Sequence, residues 1–192
     1  MADDAAAQLK ILFVCTGNMH RSPLAERLLA RCLPDARAGS AGTHAPYGHG
    51  IHPATRSVLA ELGGDSAGFT TRLLTADLVE DAELVLGMER EHREAAVRLC
   101  PTALRRCFTL KEFVRTAQGG PPGASAREVI AAAAAVRGRL GPVPAADDAF
   151  ADPWGETYDV LRERAQQIDL CVTALAGLLG VRAAVSVRRT QG

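Results

Sequence analysis

The stretch Val14-Cys15-Thr16-Gly17-Asn18-Met19-His20-Arg21-Ser22-Pro23 decides the fold. Before it, Leu9-Lys10-Ile11-Leu12-Phe13-Val14 is an apolar run broken once, as a buried parallel strand requires. After it, Ala25, Leu28, Leu29 and Cys32 recur at helical spacing as far as Pro34. Ser22 and Pro23 suit a first helical turn, where a missing N–H costs nothing. A strand, a thiol-bearing turn and a helix start thus follow one another directly. A helix N-terminus offers unpaired N–H groups and positive potential to an oxyanion. Gly17 and Asn18 are able to take the left-handed backbone conformation that turns successive N–H groups toward one centre. Arg21 adds a planar fork for two oxyanion oxygens. Such surroundings favour the thiolate of a cysteine, so Cys15 is a candidate nucleophile that needs no general base.

The spacing Cys-x5-Arg alone carries little weight. It recurs at Cys100–Arg106, where Pro101 follows the thiol and a strand is predicted next. Only the first copy has the strand before it, the helix after it and Gly17-Asn18 between.

Working outward, Ala36–Ser40 reads as a short strand, Pro53–Leu62 as a helix stopped by Gly63-Gly64, and Thr75–Asp81 as a short helix. Leu84–Met88 is a buried strand, Glu89–Leu99 a charged surface helix, and Arg105–Leu110 a fourth strand. This β-α rhythm predicts a single α/β domain: a four-stranded parallel sheet with helices on both faces and a phosphate-binding loop after the first strand. The rhythm breaks at the Pro/Gly-rich segment Gln118–Ser125. Glu128–Leu140 is then predicted as a helix and Gly141–Ala146 as a loop. A long helix follows from Thr157 to Leu179, with Val160, Leu161, Ile168, Val172, Leu175 and Leu179 facing the sheet. Val181–Val187 has the composition of a small strand. Residues 1–8 and 188–192 read as flexible ends of a domain spanning 9–187.

With 192 residues, 47% apolar and 23% charged, the chain has the makeup of one globular domain. Its 22 basic and 22 acidic residues cancel, which argues against nucleic-acid or anionic-membrane partners. Met1–Gln8 lacks the pattern of a secretory leader, and no apolar run is long enough to span a bilayer. A cytoplasmic location is expected. Five scattered cysteines imply no disulfide framework. His44, His49 and His52 lie on a loop with no nearby carboxylate or thiol ligand, so no metal is expected there.

The loop sequence resembles the phosphate loop of the bacterial low-molecular-weight protein tyrosine phosphatases. Ser40-Ala41-Gly42-Thr43, the Gly48, Gly50 and Pro53 positions, Arg72-Leu73-Leu74-Thr75, Leu84–Met88 and Asp152-Pro153-Trp154 extend the likeness. It covers about Lys10–Gly180, apart from an insertion at about 118–148. The resemblance implies a cofactor-free phosphomonoesterase, most simply acting on phosphotyrosine through a phosphocysteine on Cys15. In it Arg21 holds the phosphoryl oxygens with the loop residues Thr16, Gly17, Asn18, Met19, His20 and Ser22. Asp152 serves as general acid and then base. Ser22 assists the thiolate, Asn18 and Ser40 brace the loop, and Trp154 and Tyr47 wall the pocket.

Three departures stand out. His20 replaces the family's usual second loop cysteine, Phe69 replaces a usual His, and Glu83 a usual Asp. The insertion beside Asp152 is expected to reshape the pocket entrance. Four other activities share parts of this pattern. They are hydrolysis of a small-molecule phosphate ester, hydrolysis of phosphoarginine, thiol-linked arsenate reduction and non-catalytic phosphate binding. Met19 stands where phosphoarginine enzymes tend to carry Thr. A reductase would need relay thiols, for which Cys100 and Cys107 are the available pair.

Overall fold

The computed structural model describes residues 8–120, 123–141 and 143–180. Strands β1 (Lys10–Cys15), β2 (Arg37–Gly42), β3 (Leu84–Gly87) and β4 (Cys107–Thr109) form one parallel sheet in the order β2-β1-β3-β4. Phe13 pairs with Ser40 on one side and Leu86 on the other, so β1 is central. The helices are α1 (Arg21–Cys32), α2 (Pro53–Glu61), α3 (Ala76–Asp81), α4 (Arg90–Leu99), α5 (Leu110–Ala117), α6 (Ala126–Val136) and α7 (Tyr158–Gly180). The expected flexible ends at residues 1–7 and 188–192, and the expected strand at Val181–Val187, lie outside the described residues.

Alternation along each strand divides the core. Ile11, Phe13, Leu84, Leu86 and Phe108 pack with α1, α2, α5, α6 and α7. Leu12, Val14, Val85 and Cys107 pack with α3, α4 and a 3-10 turn, Pro101–Arg106. A strand buried on both faces needs apolar side chains at every position, which is why β1 reads as a continuous run. In this strand order β1 connects toward one edge and β3 toward the other. Their C-terminal ends therefore flank the crevice where ligands bind in open α/β sheets.

Two predicted elements need correction. The strand expected over Arg105–Leu110 is only Cys107–Thr109. Arg105 and Arg106 complete the 3-10 turn, and Arg106 Nε donates to Ala82 O at 2.9 Å. Leu110 opens α5, a helix the periodicity did not reveal. Its signal was a capping box: Thr109 Oγ1 accepts from Glu112 N–H at 3.0 Å, and Glu112 Oε2 accepts from Thr109 N–H at 3.2 Å. The same device, Ser125 with Glu128, starts α6 at Ala126, and regular helix ends at Val136.

The segment read as an insertion belongs to the main core. Val129, Ile130 and Ala133 of α6 are buried against α5 and α7. Arg137 stacks 3.7 Å from the centre of the Phe108 ring and donates through Nη2 to the Cys107 carbonyl. It thereby occupies a carbonyl on the edge strand β4, which would otherwise present open ladder groups.

Candidate active site

Cys15 ends β1, and the chain turns through Thr16–His20 into α1. Asn18 has φ +52°, the only positive value at a non-glycine among the described residues. Asn tolerates this conformation by bonding locally, and here it does so fully. Its Nδ2 donates to Ser22 Oγ (3.0 Å) and Ser40 Oγ (2.8 Å), and its Oδ1 accepts from Arg72 N–H (3.0 Å). Gly17, expected to share the left-handed role, does not take it. A different glycine is required: a Cβ on Gly42 would stand 2.5 Å from Thr16 O and 2.9 Å from Asn18 N. Ser40-Ala41-Gly42 therefore lets the loop lie directly against β2.

The Cys15 sulfur is held from two sides. Ser22 Oγ lies at 3.0 Å, and Asn18 N–H donates to it at 3.3 Å. Because Ser22 accepts from Asn18, its one proton points either to the sulfur or to the more distant Ala41 O at 3.4 Å. Ser40 passes the chain onward by donating to Glu26 at 2.6 Å. Burial pushes the Glu26 carboxyl above its ordinary range, against this hydrogen bond and the nearby Arg27 and Arg72.

Arg21 is almost wholly buried at the start of α1 and is surrounded by acceptors. Nη1 donates to Glu89 and to Phe150 O (2.9 Å). Nη2 donates to Asp152 Oδ2 (2.6 Å) and weakly to Thr16 Oγ1 (3.4 Å). Asp152 is itself set by Trp154 N–H on Oδ1 and by Phe150 N–H on Met88 O. A residue from the start of α1 and one from just before α7 thus meet directly.

Cys15, Thr16, Gly17 and Arg21, together with Met19, His20, Asp152 and Trp154, line a cavity of about 230 Å³. Trp154 meets His20 and His52 edge-on, with ring centres 5.7 and 6.1 Å away. Tyr47, expected on the opposite wall, is instead 92% exposed and does not line the cavity. None of the described residues between 118 and 148 lines it either. The segment's Asp148 lies outside the cavity lining, where Arg90 and Arg115 hold it. Burial opposes ionisation of Asp148, but hydrogen bonds from Arg90 and Arg115 hold its carboxyl below the usual range.

Two partners escaped the sequence reading. Glu89 follows β3 and pairs with Arg21. His92, one turn into α4, places Nε2 3.0 Å from Thr16 Oγ1. Their signal was position: both follow the C-terminal end of β3, the strand beside β1. Burial pushes His92 down to about 4, with Arg21 and His44 adding to the effect and Asp152 opposing it. Burial and His52 likewise push His20 to about 4, with Asp152 opposing and Arg21 adding. His20 Nδ1 bonds Thr55 Oγ1 at 2.5 Å. Both rings are neutral at pH 7 and add no charge to the oxyanion.

The other predicted residues fall elsewhere. Phe69 is buried beneath Arg27, and Glu83 accepts from Lys10 N–H and pairs with Arg127. Cys100 and Cys107 are buried in the second core cluster, away from the cavity. Burial pushes the Cys107 thiol up to about 11, which makes it a poor relay nucleophile. Among the described residues no group of three His, Cys, Asp or Glu is arranged to hold a metal ion.

The sequence and the fold are similar to those of known proteins. The family model for low molecular weight phosphotyrosine protein phosphatase matches residues 10–121. The low molecular weight protein-tyrosine-phosphatase Etp of Escherichia coli (strain K12) is 41% identical over 98 residues, half of this chain. That match spans 66% of Etp, just under two thirds of its length. Wzb, another low molecular weight protein-tyrosine-phosphatase of Escherichia coli (strain K12), is 34% identical over 122 residues, covering 64% of this chain and 83% of Wzb. Among solved structures, the YwlE arginine phosphatase from Geobacillus stearothermophilus superposes with a TM-score of 0.67 at 29% identity. That superposition covers 88% of this chain and 91% of YwlE.

Proposed function

Since the chain belongs to the low molecular weight phosphotyrosine protein phosphatase family, we propose that it hydrolyses phosphomonoesters, with phosphotyrosine as the leading substrate, through a phosphocysteine on Cys15. The observation that carries this reading is the meeting of Arg21 and Asp152 over the Cys15 loop. Nucleophile, oxyanion clamp and proton donor surround one cavity.

Substrate phosphate enters with its oxygens toward the loop amides and the Arg21 guanidinium. It competes with Asp152 for Nη2 and releases that carboxyl toward the leaving oxygen. Cys15 Sγ attacks phosphorus in line, an S–P bond forms, and the ester P–O bond breaks. Asp152, which takes up a proton from solvent once phosphate has displaced it from Arg21, gives that proton to the departing oxygen. The loop amides and Arg21 hold the equatorial oxygens where charge develops. In the second step Asp152, now ionised, takes a proton from water as that water attacks phosphorus. The S–P bond breaks, and Ser22 Oγ hydrogen-bonds the departing thiolate. Glu89, Phe150 O and Thr16 fix the guanidinium plane throughout.

Phosphotyrosine leads because bulky Met19 and the Trp154 ring line the cavity, which suits a flat phenolic ring better than a branched guanidinium. The likeness to an arginine phosphatase keeps phosphoarginine in the test. A cytoplasmic setting forms part of the proposal. It is supported by free thiols at all five cysteines, and none of the described helices is long and apolar enough to cross a membrane.

The test is a panel of phosphotyrosine and phosphoarginine peptides with sugar and nucleotide phosphates, run on the parent, Cys15→Ser and Asp152→Asn. The expected result is highest kcat/KM on phosphotyrosine, no turnover by Cys15→Ser, and Asp152→Asn slowed most on poor leaving groups. Turnover by Cys15→Ser would overturn the mechanism. A clear preference for another ester would overturn the substrate.

A further inference from the structure

A second cavity, of about 330 Å³, lies against β2, the sheet edge opposite β4. Its size falls within the range of small-ligand sites. Its walls carry four cations, Lys10, Arg27, Arg37 and Arg72, but only two carboxylates, Glu26 and Asp81. Asp81 is paired with Lys10 at 2.5 Å, and Glu26 lies 3.5 Å from Arg27. Arg37 and Arg72 make no ion pair among the described residues. Their charges reach Asp81 and Glu26 only from longer range.

The donors here are built into place. The Arg27 guanidinium sits over the Phe69 ring, 5.5 Å from its centre, with its Nε 3.5 Å from Glu26 Oε1. Arg72 crosses Gly39 so closely that a Cβ there would come within 2.6 Å of Nη2. Its Nε is fixed on Ser40 O at 2.7 Å. Arg37 and Arg72, paired with no carboxylate among the described residues, repel each other and the other cations of the same cavity. A dianion entering among them relieves that repulsion, and guanidinium forks match phosphate oxygens in particular.

We propose that this cavity is a second oxyanion site, taking a small phosphate-bearing molecule distinct from the ester at Cys15. The site is not isolated from the catalytic loop. Ser40 Oγ accepts from Asn18 Nδ2, and Arg72 N–H donates to Asn18 Oδ1. Two braces of Asn18 therefore belong to the wall of this cavity, and an occupant contacts the residues that hold the loop.

The binding test does not depend on the catalytic reading. Cys15 is alkylated with iodoacetate, so that its carboxymethyl group fills the catalytic cavity, and the protein is titrated with inorganic phosphate by calorimetry. Phosphate is expected to bind still at a single site. The Arg37 side chain is exposed and makes no hydrogen bond or ion pair among the described residues, so Arg37→Gln leaves the fold intact. It is expected to weaken binding about tenfold, the loss of one charge-assisted contact. Arg27→Gln is the second variant, with thermal melting to confirm its fold. Phosphate binding that disappears on carboxymethylation, or that survives unchanged in both variants, overturns the proposal.

Discussion

Replacing Glu89 with Gln tests whether the guanidinium plane of Arg21 is set from behind. Arg21 is 3% exposed and Glu89 30% exposed, and the two are in direct contact. Gln keeps the shape and one acceptor oxygen but removes the charge. A charge-assisted hydrogen bond exceeds a neutral one by about 1–2 kcal/mol. Partial exposure of Glu89 holds the figure to that range rather than the larger cost of breaking a fully buried pair. There is a second consequence. With Glu89 neutralised, Asp152 becomes the only carboxylate on the Arg21 guanidinium, and its ion pair competes harder with incoming phosphate. At about 1.4 kcal/mol per decade, kcat/KM should fall roughly 5- to 30-fold. KM should rise along with the loss of kcat, because in the proposed mechanism Arg21 touches the phosphoryl group before and during transfer. The assay is steady-state hydrolysis of p-nitrophenyl phosphate, with a melting curve to confirm the fold and Arg21→Lys as a benchmark. A kcat/KM within about twofold of the parent, beside a crippled Arg21→Lys, would refute the reasoning. Arg21 would then be held adequately by Phe150 O and Thr16 alone.

Further outcomes follow from the same structure. His20 and His92 lie near 4 in the folded protein, against an ordinary value of about 6.5. The unfolded chain binds those protons first, so stability is complete above 6.5 and is lost as pH falls from 6.5 to about 4. The loss is up to about 3 kcal/mol per residue, and urea melts across that window should show it shrinking in His92→Gln. Val129→Ala empties a fully buried position on α6. It should cost about 2 kcal/mol in chemical denaturation while leaving kcat/KM on a small aryl phosphate unchanged. Mild peroxide should carry Cys15 to a sulfinic acid, because His20 occupies the place of a neighbouring thiol and no other cysteine lines the cavity. An intramolecular disulfide at Cys15 in the mass spectrum would contradict this.

The parts of the site legible in the sequence were those carried by contiguous residues. Cys15, Arg21, Ser22 and Asn18 sit in one strand–turn–helix, and local backbone rules fix their relation. Asp152 was legible only through resemblance, since nothing local says that a residue 131 positions from Arg21 will reach its guanidinium. Glu89 and His92 were missed for that same reason. Their role depends on β3 lying beside β1, and periodicity reports that a strand exists without reporting its neighbour. Tyr47 shows the opposite error. A loop aromatic was placed by analogy, and it stands in solvent because nothing in the loop from Thr43 to Gly50 packs it inward.

The insertion shows how a structural segment acquires a functional consequence. It was expected to shape the entrance, yet its helix is sealed into the main core and its charged ends are spent on ion pairs. Arg137 and Glu112 meet at 3.0 Å, and Arg127 pairs with Glu83. What the segment delivers to the site is Asp148. Arg90 from α4 and Arg115 from α5 hold this carboxylate, and two residues later the chain bonds Met88 O through Phe150 N–H. Phe150 O then accepts from Arg21, and Asp152 follows. The clamp on Asp148 is thus placed to fix the register with which Asp152, the proton donor of the proposed mechanism, reaches the Arg21 guanidinium. Breaking it with Asp148→Asn should therefore lower kcat most on esters whose leaving oxygen needs a proton. Good leaving groups should be nearly unaffected. An entrance role would instead change KM according to the bulk of the substrate, so comparing aryl and alkyl phosphates separates the two.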